Sequence, residues 1–253
     1  MDTSISAWRS LPEPFSPAEP LFVITDLHAC SQAMDRLLAQ KPADCRLVFL
    51  GDAVDRGPDP LGVLAGLMRD PRSVLLRGNH DALAYFAPKN SKVWRVWQHN
   101  GARPTLKAFR ALSGEGDQAE QNTVTLPKIF EDYWQKALNW WKSGNLLFVH
   151  AGVPEDGITQ AWLDMEPSRA VLTEDSPYWW RPYFDRQYYH APRKIADEEL
   201  YVVFGHTPLE ENLTFMDFGL SLDRGYELKN AAEIRPGKPA QVRIVSTPCD
   251  EID

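Results

Sequence analysis

Short, unbroken apolar runs alternate with segments of helical period over the first third of the chain. Residues 21–25 (Leu-Phe-Val-Ile-Thr) form one such run and suit a buried strand. A helix is expected from about Ser31, an N-cap candidate, with Met34, Leu37 and Leu38 on one face. Residues 46–50 read as a second strand. Asp59 and Pro60 place a cap and a proline at the first helical position, opening a helix through Met68. Residues 73–76 are a third strand. Strand, helix, strand, helix, strand predicts an α/β sheet with crossover helices.

From residue 82 to 145 the pattern changes. This stretch holds Trp94, Trp97, Trp134, Trp140 and Trp141 among helix formers and lacks strand alternation, so a helical insertion is expected. A polar segment, 113–123, reads as an exposed loop within it. Strands resume at 146–149 and 200–204. Shorter runs at 213–216, 220–222 and 242–245 look antiparallel. Residues 1–20, with Pro12, Pro14, Pro17 and Pro20, read as an irregular leader. With no internal repeat or low-complexity linker, 21–253 reads as a single domain.

Composition narrows the function classes. A 253-residue chain can bury a substantial core. Its formal charge of -8 repels nucleic-acid backbones and anionic membranes, so neither is an expected partner. Cys30, Cys45 and Cys249 cannot all pair and form no CxxC, which predicts reduced thiols and a cytoplasmic setting. The start has no apolar run of signal-peptide type, and no stretch approaches the ~20 apolar residues of a membrane span.

Five segments carry candidate chemistry, each just after an expected strand. They are Asp26-Leu-His28, Gly51-Asp52-Ala-Val-Asp55-Arg56-Gly57, Gly78-Asn79-His80-Asp81, His150-Ala-Gly152 and Gly205-His206. Ligands gather beyond the carboxyl ends of strands in α/β sheets, so these positions should converge. Carboxylate, imidazole and amide oxygen suit hard or borderline divalent ions, and no thiolate is placed to demand a soft one. Singly, each segment reads as a turn or a core histidine. Jointly, with four of the 6 histidines inside them, they describe a metal site.

These segments resemble the calcineurin-like metallophosphoesterases, and within them the phosphoprotein phosphatase family, whose pattern is GDxHG, GDxxDRG, GNHE, HAG and GH. This chain has TDLHA, GDAVDRG, GNHD, HAG and GHTP. Asn100-Gly-Ala-Arg-Pro-Thr-Leu106 and Val203-Phe-Gly-His-Thr-Pro208 are similar to segments of the bacterial and phage-type members. The resemblance implies a central β-sandwich flanked by helices. It implies two divalent ions, Mn first, with Fe, Zn or Co compatible. Asp26, His28 and Asp52 would hold one ion. Asp52 (bridging), Asn79, His150 and His206 would hold the other, and a water activated between them would attack phosphorus. His80 would protonate the leaving group, oriented by Asp55. Arg56 and Arg181 would bind phosphate oxygens.

The departures are Thr25 and Ala29 where the family has glycines, Asp81 for the more common Glu, and Leu222-Asp-Arg-Gly225 in place of a stretch like IDTG. Arg224 is assigned no role. Two substrates follow from the resemblance. Asp55-Arg56 favours a serine/threonine protein phosphatase, acting on phosphoproteins or small phosphoesters, because the diadenosine tetraphosphate hydrolases have GDLVARG there. Asp81 leans toward the dinucleotide hydrolase, as would tryptophans of the insertion if they lined a nucleotide pocket. A silent binding module of the same fold is a third reading, and the chain's full set of family residues counts against it.

Overall fold

A computed structural model describes residues 2–114, 123–154, 158–181, 193–195, 198–209, 215–216, 219–225 and 227–249. The chain begins with β1 (Ser4–Ile5), β2 (Arg9–Ser10), β3 (Leu21–Ile24), α1 (Ser31–Leu38), β4 (Arg46–Phe49), α2 (Pro60–Met68) and β5 (Val74–Leu75). Four helices follow: α3 (Asn79–Phe86), α4 (Ser91–His99), α5 (Arg103–Ser113) and α6 (Lys128–Lys136). Then come β6 (Trp140–Ser143), β7 (Leu146–Val149), β8 (Arg193–Ile195) and β9 (Glu198–Phe204). The last strands are β10 (Phe215–Met216), β11 (Gly219–Ser221), β12 (Leu228–Arg235) and β13 (Gln241–Pro248).

The strands form two sheets. One runs β1-β13-β12-β3-β4-β5, with β2 also on β13, and the other runs β10-β11-β9-β7-β6, with β8 on β9. The period of two along each strand explains the layering. Leu21, Val23, Val48 and Leu50 meet Leu146, Phe148, Tyr201 and Val203 in the core between the sheets. Their neighbours Phe22, Ile24, Leu47 and Phe49 face the helices. On the second sheet Leu147, Val149, Val202 and Phe204 face outward into a smaller cluster. The result is an α/β sandwich flanked by helices.

Asp59 caps α2 as expected, its carboxylate accepting from the Gly62 N–H at 2.8 Å. The start of α1 differs: Cys30 holds the cap position and Ser31 is the first helical residue. Residues 1–20 are not wholly irregular. The strands β1 and β2 both pair with β13, and Leu11 and Phe15 are buried between the sheets. The helical insertion starts at Asn79 and ends before Trp140, which opens strand β6 antiparallel to β7. Its tryptophans hid that strand, because Trp140 and Trp141 are half-buried and show no clean alternation. The expected polar loop falls mainly on 115–122, outside the described residues. Within 220–222, β11 is antiparallel to β10 but parallel to β9.

The cysteine reading is corrected. Cys30 and Cys249 form a disulfide across 219 positions, leaving Cys45 as the buried free thiol. Sequence spacing could not reveal this, since the fold brings the start of α1 to the end of β13. The pairing removes the ground on which a reducing compartment was expected. Among the described residues no helix is long and apolar enough to cross a membrane.

Candidate metal centre

All five segments sit where strands end: Asp26 after β3, Asp52 after β4, Asn79 after β5, His150 after β7 and His206 after β9. The loops are laced together by their backbones. Asp26 N donates to Gly51 O, His28 N to Asp52 O and Gly57 N to His28 O, at 2.9–3.1 Å. The non-glycine residues with positive φ among the described residues are Asp26, His28, Ala29, Asp52, Asp55, Arg56 and His206, at 45° to 72°. Such backbone costs of order 1–3 kcal/mol per residue and persists where surrounding structure over-determines it. Here it aims carboxylates and imidazoles into one buried volume. Gly205 is required by close approach: a Cβ there would overlap Thr25 Oγ1 and Asp26 Oδ2.

Asp52 lies at the centre. Its Oδ2 is 3.7 Å from His28 Nε2, and its Oδ1 is 3.6 Å from His150 Nε2. Two groups of potential ligands share it, His28-Asp52-His80 and Asp52-His150-His206. Asn79 joins the second, with Oδ1 at 2.9 Å from His150 Nε2 and 3.0 Å from His206 Nδ1. Asp26 belongs to neither group. Its carboxylate accepts from the His206 N–H at 3.0 Å and contacts the Thr25 hydroxyl, the residue standing where the family has glycine.

The donor chemistry fits divalent cations. His150 Nδ1 faces the Leu50 carbonyl at 2.8 Å, so a neutral His150 presents a lone pair at Nε2, directly against the acceptor Asn79 Oδ1. Two acceptors in contact call for a cation or a proton between them. The His206 Nε2 atom is buried without a hydrogen-bond partner among the described residues. Burial works to lower the His150 imidazole, but Asp52 and Asp26 overcome it and raise it. Burial, then the neighbouring imidazoles, hold His28 and His206 well below the usual histidine range, while burial raises Asp26. With their imidazoles lowered, His28 and His206 have nitrogen lone pairs to offer beside the oxygens of Asp52 and Asn79.

His80 and Asp55 form a separate pair, Nδ1 to Oδ2 at 2.8 Å, and the His80 N–H donates to Asp52 Oδ1 at 2.9 Å. Burial pushes Asp55 up to about 7 and His80 down to about 4. Arg56 Nη1 lies 2.6 Å from His28 Nε2, putting a guanidinium beside the centre. Arg181 is exposed, and its charge bears on both His80 and His206. The structure thus brings the predicted residues to one place, with Asp26 turned toward the backbone of the His206 loop.

Several supporting residues escaped the sequence reading. Trp97 Nε1 donates to both Asp55 oxygens, at 3.0 and 2.9 Å, and Thr105 Oγ1 accepts from Asp55 N at 2.9 Å. Lys229, buried on β12, donates to the Asp26 carbonyl at 2.8 Å. Thr105 lay inside a segment already singled out. Trp97 and Lys229 carried no signal beyond an aromatic at helical spacing and a lysine in a strand. Asp81 proves to be scaffold. Its carboxylate accepts from Asp52 N, Ala53 N, Gly78 N and Tyr133 OH, at 2.9–3.0 Å. Arg224 donates to the Asp223 carbonyl at 2.6 Å.

Loops at the ends of sandwich strands, with one carboxylate shared by two imidazole-rich groups, define a metallophosphoesterase. The chain belongs to the calcineurin-like phosphoesterase family, whose model matches residues 19–227. It is 40% identical over 202 residues to serine/threonine-protein phosphatase 1 of Salmonella typhimurium, covering 77% of this chain and 82% of that protein. It is 28% identical over 212 residues to bis(5'-nucleosyl)-tetraphosphatase PrpE (asymmetrical) of Oceanobacillus iheyensis, covering 75% of this chain and 77% of that one. The crystal structure of a cold-active protein-tyrosine phosphatase from a psychrophilic Shewanella matches with a TM-score of 0.54 at 14% identity, over 90% of this chain and 80% of that one. That last likeness concerns the fold alone.

Proposed function

We propose that this chain is a dinuclear metal-dependent phosphatase of the serine/threonine protein phosphatase type. The observation that carries the reading is Asp52, placed within 3.7 Å of an imidazole on each side. Asp26, His28 and Asp52 would hold one divalent ion, and Asp52, Asn79, His150 and His206 the other, with Mn²⁺ the first candidate. When bound, such a pair lowers the pKa of water and neutralises charge on a phosphoryl group. The protein's own part is positioning and proton transfer. Arg56 presents a planar fork that matches phosphate oxygens, and Arg181 adds a second positive charge. His80, oriented through Nδ1 by Asp55, has Nε2 left to carry a proton to the departing oxygen.

Two features support a phosphomonoester over a dinucleotide. Asp55, absent from the GDLVARG pattern, is engaged with His80 here. Trp97 and Trp134 are core side chains rather than walls of a nucleotide pocket. The tetraphosphatase relative keeps diadenosine tetraphosphate as the rival substrate. The test compares metal-stripped protein with and without Mn²⁺ on p-nitrophenyl phosphate, a phosphoserine/phosphothreonine peptide and diadenosine tetraphosphate. Mn²⁺-dependent phosphate release from the peptide is expected. Fast, selective cleavage of the dinucleotide would install the rival, and no turnover with metals bound would leave a silent binding module.

A further inference from the structure

The insertion helices grip the Asp55-Arg56 loop at three points. Asp55 N donates to Thr105 Oγ1 on α5, Arg56 N donates to Gly101 O between α4 and α5, and Trp97 Nε1 on α4 reaches the Asp55 carboxylate. The third contact differs in kind, because it falls on a functional side chain. Asp55 is fully buried, so no solvent can orient its carboxylate. A carboxylate turns easily about its last torsion. The single indole N–H, shared between Oδ1 at 3.0 Å and Oδ2 at 2.9 Å, fixes that plane while Oδ2 faces His80 Nδ1 at 2.8 Å.

Trp97 is itself immobilised. It is fully buried, meets Trp94 edge to face at 5.7 Å between centroids, and sits on a helix capped by Asn90, whose side chain accepts from Lys92 N and Val93 N. A buried tryptophan packs its ring and usually finds some partner for its N–H. This one spends its only polar atom on the carboxylate that orients the proton donor.

We propose that Trp97 is a positioning residue for proton transfer: its N–H sets the Asp55 carboxylate, Asp55 sets His80, and His80 Nε2 is thereby aimed at the leaving oxygen. In that step the oxygen of a water-derived hydroxide bonds to phosphorus as the phosphorus–oxygen bond to the leaving group breaks; the departing electron pair stays on the leaving oxygen, and the proton on Nε2 passes to that oxygen. The inference rests on the reading of His80 as proton donor.

Leaving-group basicity separates positioning from packing. A phenolate leaving group needs the proton, whereas the weakly basic p-nitrophenolate departs largely without it. Steady-state kinetics of the Mn²⁺-loaded protein on phenyl phosphate and p-nitrophenyl phosphate, for Trp97→Phe and His80→Asn, tests the chain of contacts. General acid catalysis is typically worth ~10²–10⁴-fold, so His80→Asn should lose kcat on phenyl phosphate by that order. Trp97→Phe should lose about 10-fold or more on phenyl phosphate, but less than about 3-fold on p-nitrophenyl phosphate, with KM and bound metal unchanged. If His80→Asn shows no difference between the two substrates, the proton-donor reading itself fails. If His80→Asn discriminates and Trp97→Phe slows both substrates alike, or neither, Trp97 is packing and the inference is overturned. Should Trp97→Phe fail to fold, benzothienylalanine placed at position 97 keeps the ring shape, lacks the N–H and reads the same difference.

Discussion

Asp52 is engaged on both oxygens. Oδ1 accepts the His80 N–H at 2.9 Å and stands near His150, while Oδ2 stands near His28. A single negative charge there serves both ligand groups, and an amide of the same shape cannot. Asp52→Asn is therefore expected to reduce bound Mn²⁺ from two ions per chain to near zero, read by elemental analysis of the reconstituted protein. Two ions retained per chain would remove the bridging assignment. The sequence singled out Asp52 because it lies in GDAVDRG, a contiguous string that resembles a family pattern. Trp97 escaped because nothing in a tryptophan's local pattern reveals that its indole meets a carboxylate 42 positions away.

At the scale of elements, parallel strands deliver the chemistry and insertion helices brace it. Tyr133, on α6, donates to Asp81 Oδ2 at 2.9 Å, and that carboxylate ties together the backbones at Asp52, Ala53 and Gly78. Hydrogen bonds to charged groups contribute ~1.5–3 kcal/mol when one partner is lost. Tyr133→Phe should thus destabilise the fold by about that amount in urea unfolding, and a loss under about 0.5 kcal/mol would mean the contact is idle. The strands β3, β4, β7 and β9 were legible because apolar runs buried on both faces leave little alternative. The strand β6 was not, since half-buried tryptophans mimic a helix face. The strand β12 also went unseen, its Lys229, Asn230 and Glu233 being polar yet buried by tertiary partners.

Across the whole molecule, the first and last described strands belong to the sheet that carries Asp26 and Asp52. Both β1 and β2 pair with β13, and Cys249, just after β13, is joined to Cys30 at the head of α1. A crosslink spanning most of a chain restricts the unfolded ensemble strongly, and loss of a native disulfide typically costs ~2–5 kcal/mol. Cys249→Ser, or the reduced wild-type protein, should lose about that much unfolding free energy in denaturant titrations. Equal stability with and without reductant would show that the two thiols do not pair in solution.

The sequence by itself determined the strands β3, β4, β7 and β9, the five loops and the residue types that make a metal site, because those signals are local: a run of apolar residues, a glycine turn, a short string of ligands. Tertiary structure alone decided the Cys30–Cys249 pairing, the scaffold role of Asp81, and the grip of Trp97 and Lys229 on the site. Each of these joins residues far apart in the chain, and no periodicity or spacing encodes which distant side chain a hydrogen bond or sulfur will meet.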